Sequence, residues 1–137
     1  MSRRPLRGRR GGGALLGRTL LLAAALASGA GRGGPAPGPG ALTVSVVSPH
    51  GAEGAAVLAL HGPGIDGVDG SGAWVRARRG RGDTLVVAVV AQEAGPLSFR
   101  VALADTLLRP EFRILQVAGP DDALREALEG YRVEVTP

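Results

Sequence analysis

A chain of 137 residues without cysteine has room for one domain and excludes disulfides, thiolate zinc centres and cysteine nucleophiles. Its formal charge of +4 is unevenly spread: seven of the 16 basic residues precede residue 41, whereas all 12 acids follow it. Residues 41–137 therefore carry a net −3, which argues against a nucleic-acid-binding surface on the folded part.

Residues 1–30 have the layout of an export signal peptide: arginine-rich as far as Arg18, then uncharged and apolar, then small. Ala25 and Ala27 frame an A-x-A cleavage pattern, with Ser28-Gly29-Ala30 as a second choice. The uncharged stretch 19–31 is 13 residues long. A spanning helix needs roughly 20, so cleavage is expected rather than anchoring, and membrane contact only through an uncleaved leader. Ser2-Arg3-Arg4-Pro5-Leu6 resembles the twin-arginine export signature, with Leu6 in place of the usual Phe and Arg7 in place of an apolar residue. General secretion needs only the basic start and is preferred. Either route predicts an exported protein, periplasmic or extracellular. Residues 31–40, rich in Gly and Pro, read as a disordered linker.

The domain is expected over 41–137. Residues 42–46 alternate as a first strand with Leu42, Val44 and Val46 inward, and Ser48-Pro49-His50-Gly51 turns the chain. A second apolar strand spans 55–61, ended by Gly62-Pro63-Gly64. The glycine-rich stretch 65–72 reads as a loop, with room for a two-residue strand at its middle. A third strand covers 73–78, and Arg79-Gly80-Arg81-Gly82-Asp83 turns into the run 85–90. That run offers apolar side chains to both faces, as a strand covered on two sides does. After the break at 92–96, Leu97, Phe99, Val101 and Leu103 alternate with Ser98, Arg100 and Ala102. The two runs read as neighbouring strands at the centre of the domain. A strand over 112–117 follows. Residues 121–129 then read as one short helix: Asp121 caps it, Leu124 and Leu128 share a face, and Gly130 ends it. At eight or nine residues that helix depends on packing. An alternating strand over 131–135 closes the chain.

About six to eight short strands bounded by Gly and Pro, in a domain near the usual immunoglobulin-like size of about 100 residues, predict an all-β sandwich. The two-sided apolar strand, the glycine-rich loop and Ala94-Gly95-Pro96-Leu97-Ser98-Phe99-Arg100-Val101 resemble cohesin-type and related extracellular β-sandwich modules of bacteria, over about 42–104. That resemblance implies an immunoglobulin-like or cohesin-like sandwich. The whole chain is also similar to short secreted proteins of GC-rich bacteria, which implies no activity.

On a strand, Trp74, Arg76 and Arg78 share a face and, with Arg81 in the following turn, could present an aromatic and cationic platform to a protein or glycan. The plainer alternative, preferred here, has Trp74 plugging the core while the arginines reach solvent. Asp66 and Asp69, with Ser71, offer oxygen ligands for calcium, although the EF-hand spacing is absent and such glycine loops are ordinary turn chemistry. The two histidines, His50 and His61, make no metal-ligand spacing; His50 with Glu53 reads as a decorated turn. Ser48 and Ser71 lack the strand-turn-helix context of a hydrolase nucleophile. Arg81-Gly82-Asp83 spells an adhesion tripeptide, read as chance in a chain so rich in Gly and Arg. Phe99, Phe112 and Tyr131 sit in apolar registers rather than between arginines, against nucleic-acid binding.

The expectation is an exported, non-catalytic binding module, not an enzyme, with no cofactor and a protein or glycan partner. The alternatives are a small secreted hydrolase or calcium-dependent enzyme, built on the 66–71 loop and a histidine, and a membrane-tethered accessory subunit.

Overall fold

The structure, a computed structural model, describes residues 37–70, 72–93 and 95–137. The expected leader with Ala25 and Ala27, most of the linker, Ser71 and Ala94 lie outside the described residues. Eight strands follow in order: β1 (Gly40–Val47), β2 (Ala55–His61), β3 (Ile65–Gly70), β4 (Ala73–Arg79), β5 (Thr84–Ala91), β6 (Leu97–Leu103), β7 (Glu111–Ala118) and β8 (Arg132–Thr136).

They form an all-β sandwich of two four-stranded antiparallel sheets, ordered β3-β6-β1-β8 and β4-β5-β2-β7. Only the β4–β5 hairpin stays within one sheet; every other connection crosses between the two. The pairing is nested, β1 with β8, β2 with β7, β3 with β6 and β4 with β5, and the two sheets close over one core.

Alternation along each strand builds that core. Leu42, Val44 and Val46 of β1 and Leu97, Phe99, Val101 and Leu103 of β6 face Ala56, Leu58 and Leu60 of β2 and Leu85, Val87 and Val89 of β5. Phe99 is its largest fully buried side chain and sits opposite Val44.

Four expectations are corrected. The runs 85–90 and 97–103 are not neighbours: β5 and β6 belong to opposite sheets and meet only across the core. Residues 65–70 form a full strand paired with β6, because Ile65 and Val68 pack inward and a bulge between Ile65 and Gly67 brings both into register. Gly38 and Gly40, assigned to the linker, are tied in: Gly38 N donates to Asp105, its carbonyl accepts from Thr106 N, and Gly40 opens β1.

The fourth is the short helix before the last strand, which does not form; the described residues contain no helix. After β7 the chain reverses through Asp122, held at φ 63°, and runs back beside the strand. Ala118 bridges Leu124, Gly119 N donates to Ala123 O at 2.9 Å, and Arg125 N donates to Val117 O at 2.9 Å. A helix of that length is marginal alone, so ladder bonds to β7 and the engagement of Arg125 described below outweigh its propensity.

Candidate functional site

At the end of the sandwich where β1 hands over to β2 and β7 to β8, Glu53 is a buried acid, 4% exposed. Its carboxylate is fully engaged. Ser48 Oγ donates to Oε1 at 2.7 Å and Tyr131 Oη to the same oxygen at 2.5 Å, while Arg125 donates to Oε2 through Nε at 3.1 Å and Nη2 at 2.9 Å. Ser48 in turn accepts from His50 N at 2.9 Å, and the His50 ring tilts against Tyr131 with centroids 5.8 Å apart.

Burial pushes the Glu53 carboxyl up, but donation from Tyr131, Ser48 and Arg125, with the guanidinium charge, outweighs it and holds the group below its ordinary 4.5. Burial and donation to the carboxylate raise the Tyr131 phenol above its ordinary 10.0. The Arg125 guanidinium is raised by its bonds to Glu53. Every strong acceptor site is thus taken, and the Ser48 hydroxyl hydrogen points at a carboxylate, not at a histidine. The cluster is a latch between two connections. Sequence reasoning missed it, because Glu53 lies 72 and 78 residues from Arg125 and Tyr131 and nothing in the local pattern links them.

The contact surface expected over 74–81 takes a different form from a core plug. Trp74 is 66% exposed, so the preferred reading of it as a plug is overturned. The reason is register. Ala73 and Val75 pack against the core, and alternation therefore turns Trp74, Arg76 and Arg78 outward together on the edge strand β4. Arg81 sits in the β4–β5 turn beyond the far end of the strand, so it does not join Trp74. Arg79, on the inward register, reaches across to the Ile65 carbonyl at 3.4 Å. Arginines on an edge strand also discourage pairing with another sheet.

Beside that edge lies a face the sequence had marked without locating. Pairing sets Trp74 against Val90, Arg76 against Ala88 and Arg78 against Val86, and these against Ala55, Val57 and Ala59 of β2. The rows continue onto β7 at Ala118, Gln116 and Arg113. A bulge at Val57/Leu58 also leaves Leu115 exposed on this strand. The outer face of this sheet is therefore apolar along its middle and cationic along β4, and its β7 flank carries Arg113 with Glu111 two residues away on the same face. The opposite outer face is polar: Asp69, Arg100, Thr43 and Thr136 form one row, and Ser98, Ser45 and Glu134 another.

Asp66 and Asp69, the expected calcium ligands, are both exposed on β3, and Asp69 lies next to Arg100. Among the described residues no group of three or more His, Asp or Glu side chains converges to hold a metal ion. His61 is exposed, with Nδ1 3.0 Å from Thr84 Oγ1 and Glu111 as its neighbour on β7. His50 belongs to the latch at the other end of β2. No protein-family model, curated protein or solved structure matches this chain.

Proposed function

We propose that this chain is an exported, non-catalytic β-sandwich module that works by surface contact with a protein or a glycan, through the outward face of β4 at Trp74, Arg76 and Arg78. The observation that carries the reading is the exposure of Trp74 beside Arg76 and Arg78 on one strand face. A large aromatic left in water next to two guanidinium groups is favourable chiefly when a partner covers it. Export rests on the leader, and a cohesin-like or immunoglobulin-like affiliation on the resemblance over 42–104. The strand order sets β1 beside β6 and β8, whereas immunoglobulin constant domains set the first strand beside the second, which counts against the immunoglobulin-like form.

Glycan and protein arrays probed with the full chain and with Trp74→Ala test it. The expected result is a ligand signal lost in Trp74→Ala while its thermal midpoint stays within about 2 °C of the parent, as for a surface substitution. Binding that survives the substitution overturns the assignment.

A further inference from the structure

We propose that the outer face of the β4-β5-β2-β7 sheet is a docking tray for an amphipathic helix of a partner protein, one whose apolar stripe is flanked by acidic residues. The inference rests on the contact surface proposed above and names what sits on it.

Three observations point to this occupant. The first is pattern: β5 reads as a strand covered on both faces and β2 as an apolar run beside it, yet the core covers only one face of each. Val86, Ala88 and Val90 with Ala55, Val57 and Ala59 make a floor of small apolar residues, which lets a helix backbone approach closely. The second is width. Arg76 and Arg78 stand along one side and Arg113 along the other, three strand spacings away, or about 14 Å, against a helix diameter of about 10–12 Å.

The third is charge. Arg76, Arg78 and Arg113 face outward on this sheet, and its one acid in register is Glu111, beside His61 at the end. Acidic flanks on the helix would meet a guanidinium on either side. Residues 1–36 carry arginines and no acid, so this chain's own front segment does not complement the tray. A second copy would set arginine against arginine. The tray measures on the order of 500 Å², too little per partner for an obligate dimer. Its floor of alanines and valines leaves hydrogen bonds to sugar hydroxyls to Gln116 and the flanking arginines alone, and flush alanines and valines project too little to enter a bilayer.

The test is a titration of the full chain with a synthetic amphipathic peptide, Leu and Ala on one face and Glu along both flanks. Roughly 17 residues of helix match the ~25 Å length of the tray. Trp74 is the chain's one tryptophan, so its fluorescence reports occupancy directly. The expected result is a saturable blue shift together with gain of peptide helicity. Affinity should fall about tenfold in the double variant Arg76→Glu, Arg78→Glu, and stay within about twofold in the single reversal Arg100→Glu on the opposite sheet, which matches Arg113→Glu in charge change. If the double variant fails to melt cooperatively, Arg113→Glu on the other flank should show a comparable loss.

Equal binding by a peptide with Lys in place of Glu, or equal loss in Arg100→Glu, overturns the proposal. A Trp74 shift caused by dextran sulfate or phosphatidylglycerol vesicles but not by the peptide overturns the helix and leaves the contact surface at Trp74 standing. Concentration-dependent dimerisation without peptide binding overturns the helix in favour of a second copy. No shift with any of these probes overturns both readings.

Discussion

Tyr131 donates its phenolic hydrogen to Glu53 Oε1 at 2.5 Å, joining residues 78 apart in the sequence. The bond closes one end of the sandwich, because Glu53 lies in the β1–β2 connection and Tyr131 in the β7–β8 connection, and Arg125 grips the same carboxylate from the side. An ion pair with one partner this buried is valuable mainly for what its loss would leave behind. Removing the carboxylate takes the shared acceptor away from three donors, Ser48, Tyr131 and Arg125.

Glu53→Gln should therefore lower stability by about 1–3 kcal/mol, the usual cost of leaving buried polar groups poorly paired. Tyr131→Phe should cost about 1 kcal/mol, near 4–8 °C in thermal midpoint for a domain of this size. Paired thermal melts check both. An unchanged midpoint in Glu53→Gln would show that the latch contributes nothing to the fold.

The same carboxylate sets the acid limb. Its pKa in the fold is below the ordinary 4.5, so its contribution is fully present above that value and is lost as pH falls through the folded-state value. Tyr131 works in the other direction: raised above 10.0, it contributes below that value and its part is lost in strong alkali. Denaturant unfolding across the pH range should show a plateau between these limits, with a shallower acid limb in Glu53→Gln. Parallel acid limbs would remove Glu53 from the account.

Phe99 in the core and Trp74 on the edge strand β4 should respond oppositely to truncation. Phe99→Ala empties the middle of the core and should cost about 3–5 kcal/mol, enough to unfold a marginal domain at moderate temperature. Trp74→Ala should leave the midpoint almost unmoved. Circular dichroism melts of the two variants side by side test the register of β4 against that of β6.

Gly54 is needed for closeness rather than for an unusual backbone angle. A Cβ there would lie 2.5 Å from the Gly119 carbonyl oxygen, and the same residue donates to Ala118 O and accepts from Ala91 N at 2.8 Å each. Gly54→Ala should force the two connections apart and cost about 1–3 kcal/mol. A midpoint within error of the parent would mean that the connections shift freely and the latch is loosely held.

What the sequence determined by itself is whatever depends on period. The alternation in 42–46 and 97–103 and the apolar runs at 55–61 and 85–90 place those strands, and the alternating pair also name their inward residues, because a pleated strand sends successive side chains to opposite faces. Where pattern competes with partners, the tertiary structure decided. Residues 121–129 carry a helical pattern, but ladder bonds to β7 and the Arg125–Glu53 pair outweigh a propensity worth only tenths of a kcal/mol per residue. Residues 65–70 have little propensity for anything and become a strand because β6 offers an unpaired edge. Trp74 faces water because Ala73 and Val75 occupy the inward register, a choice of one residue in phase that no single stretch of sequence reveals. The apolar strands β5 and β2 were visible from the start, but only the sheet order shows that one of their faces is open.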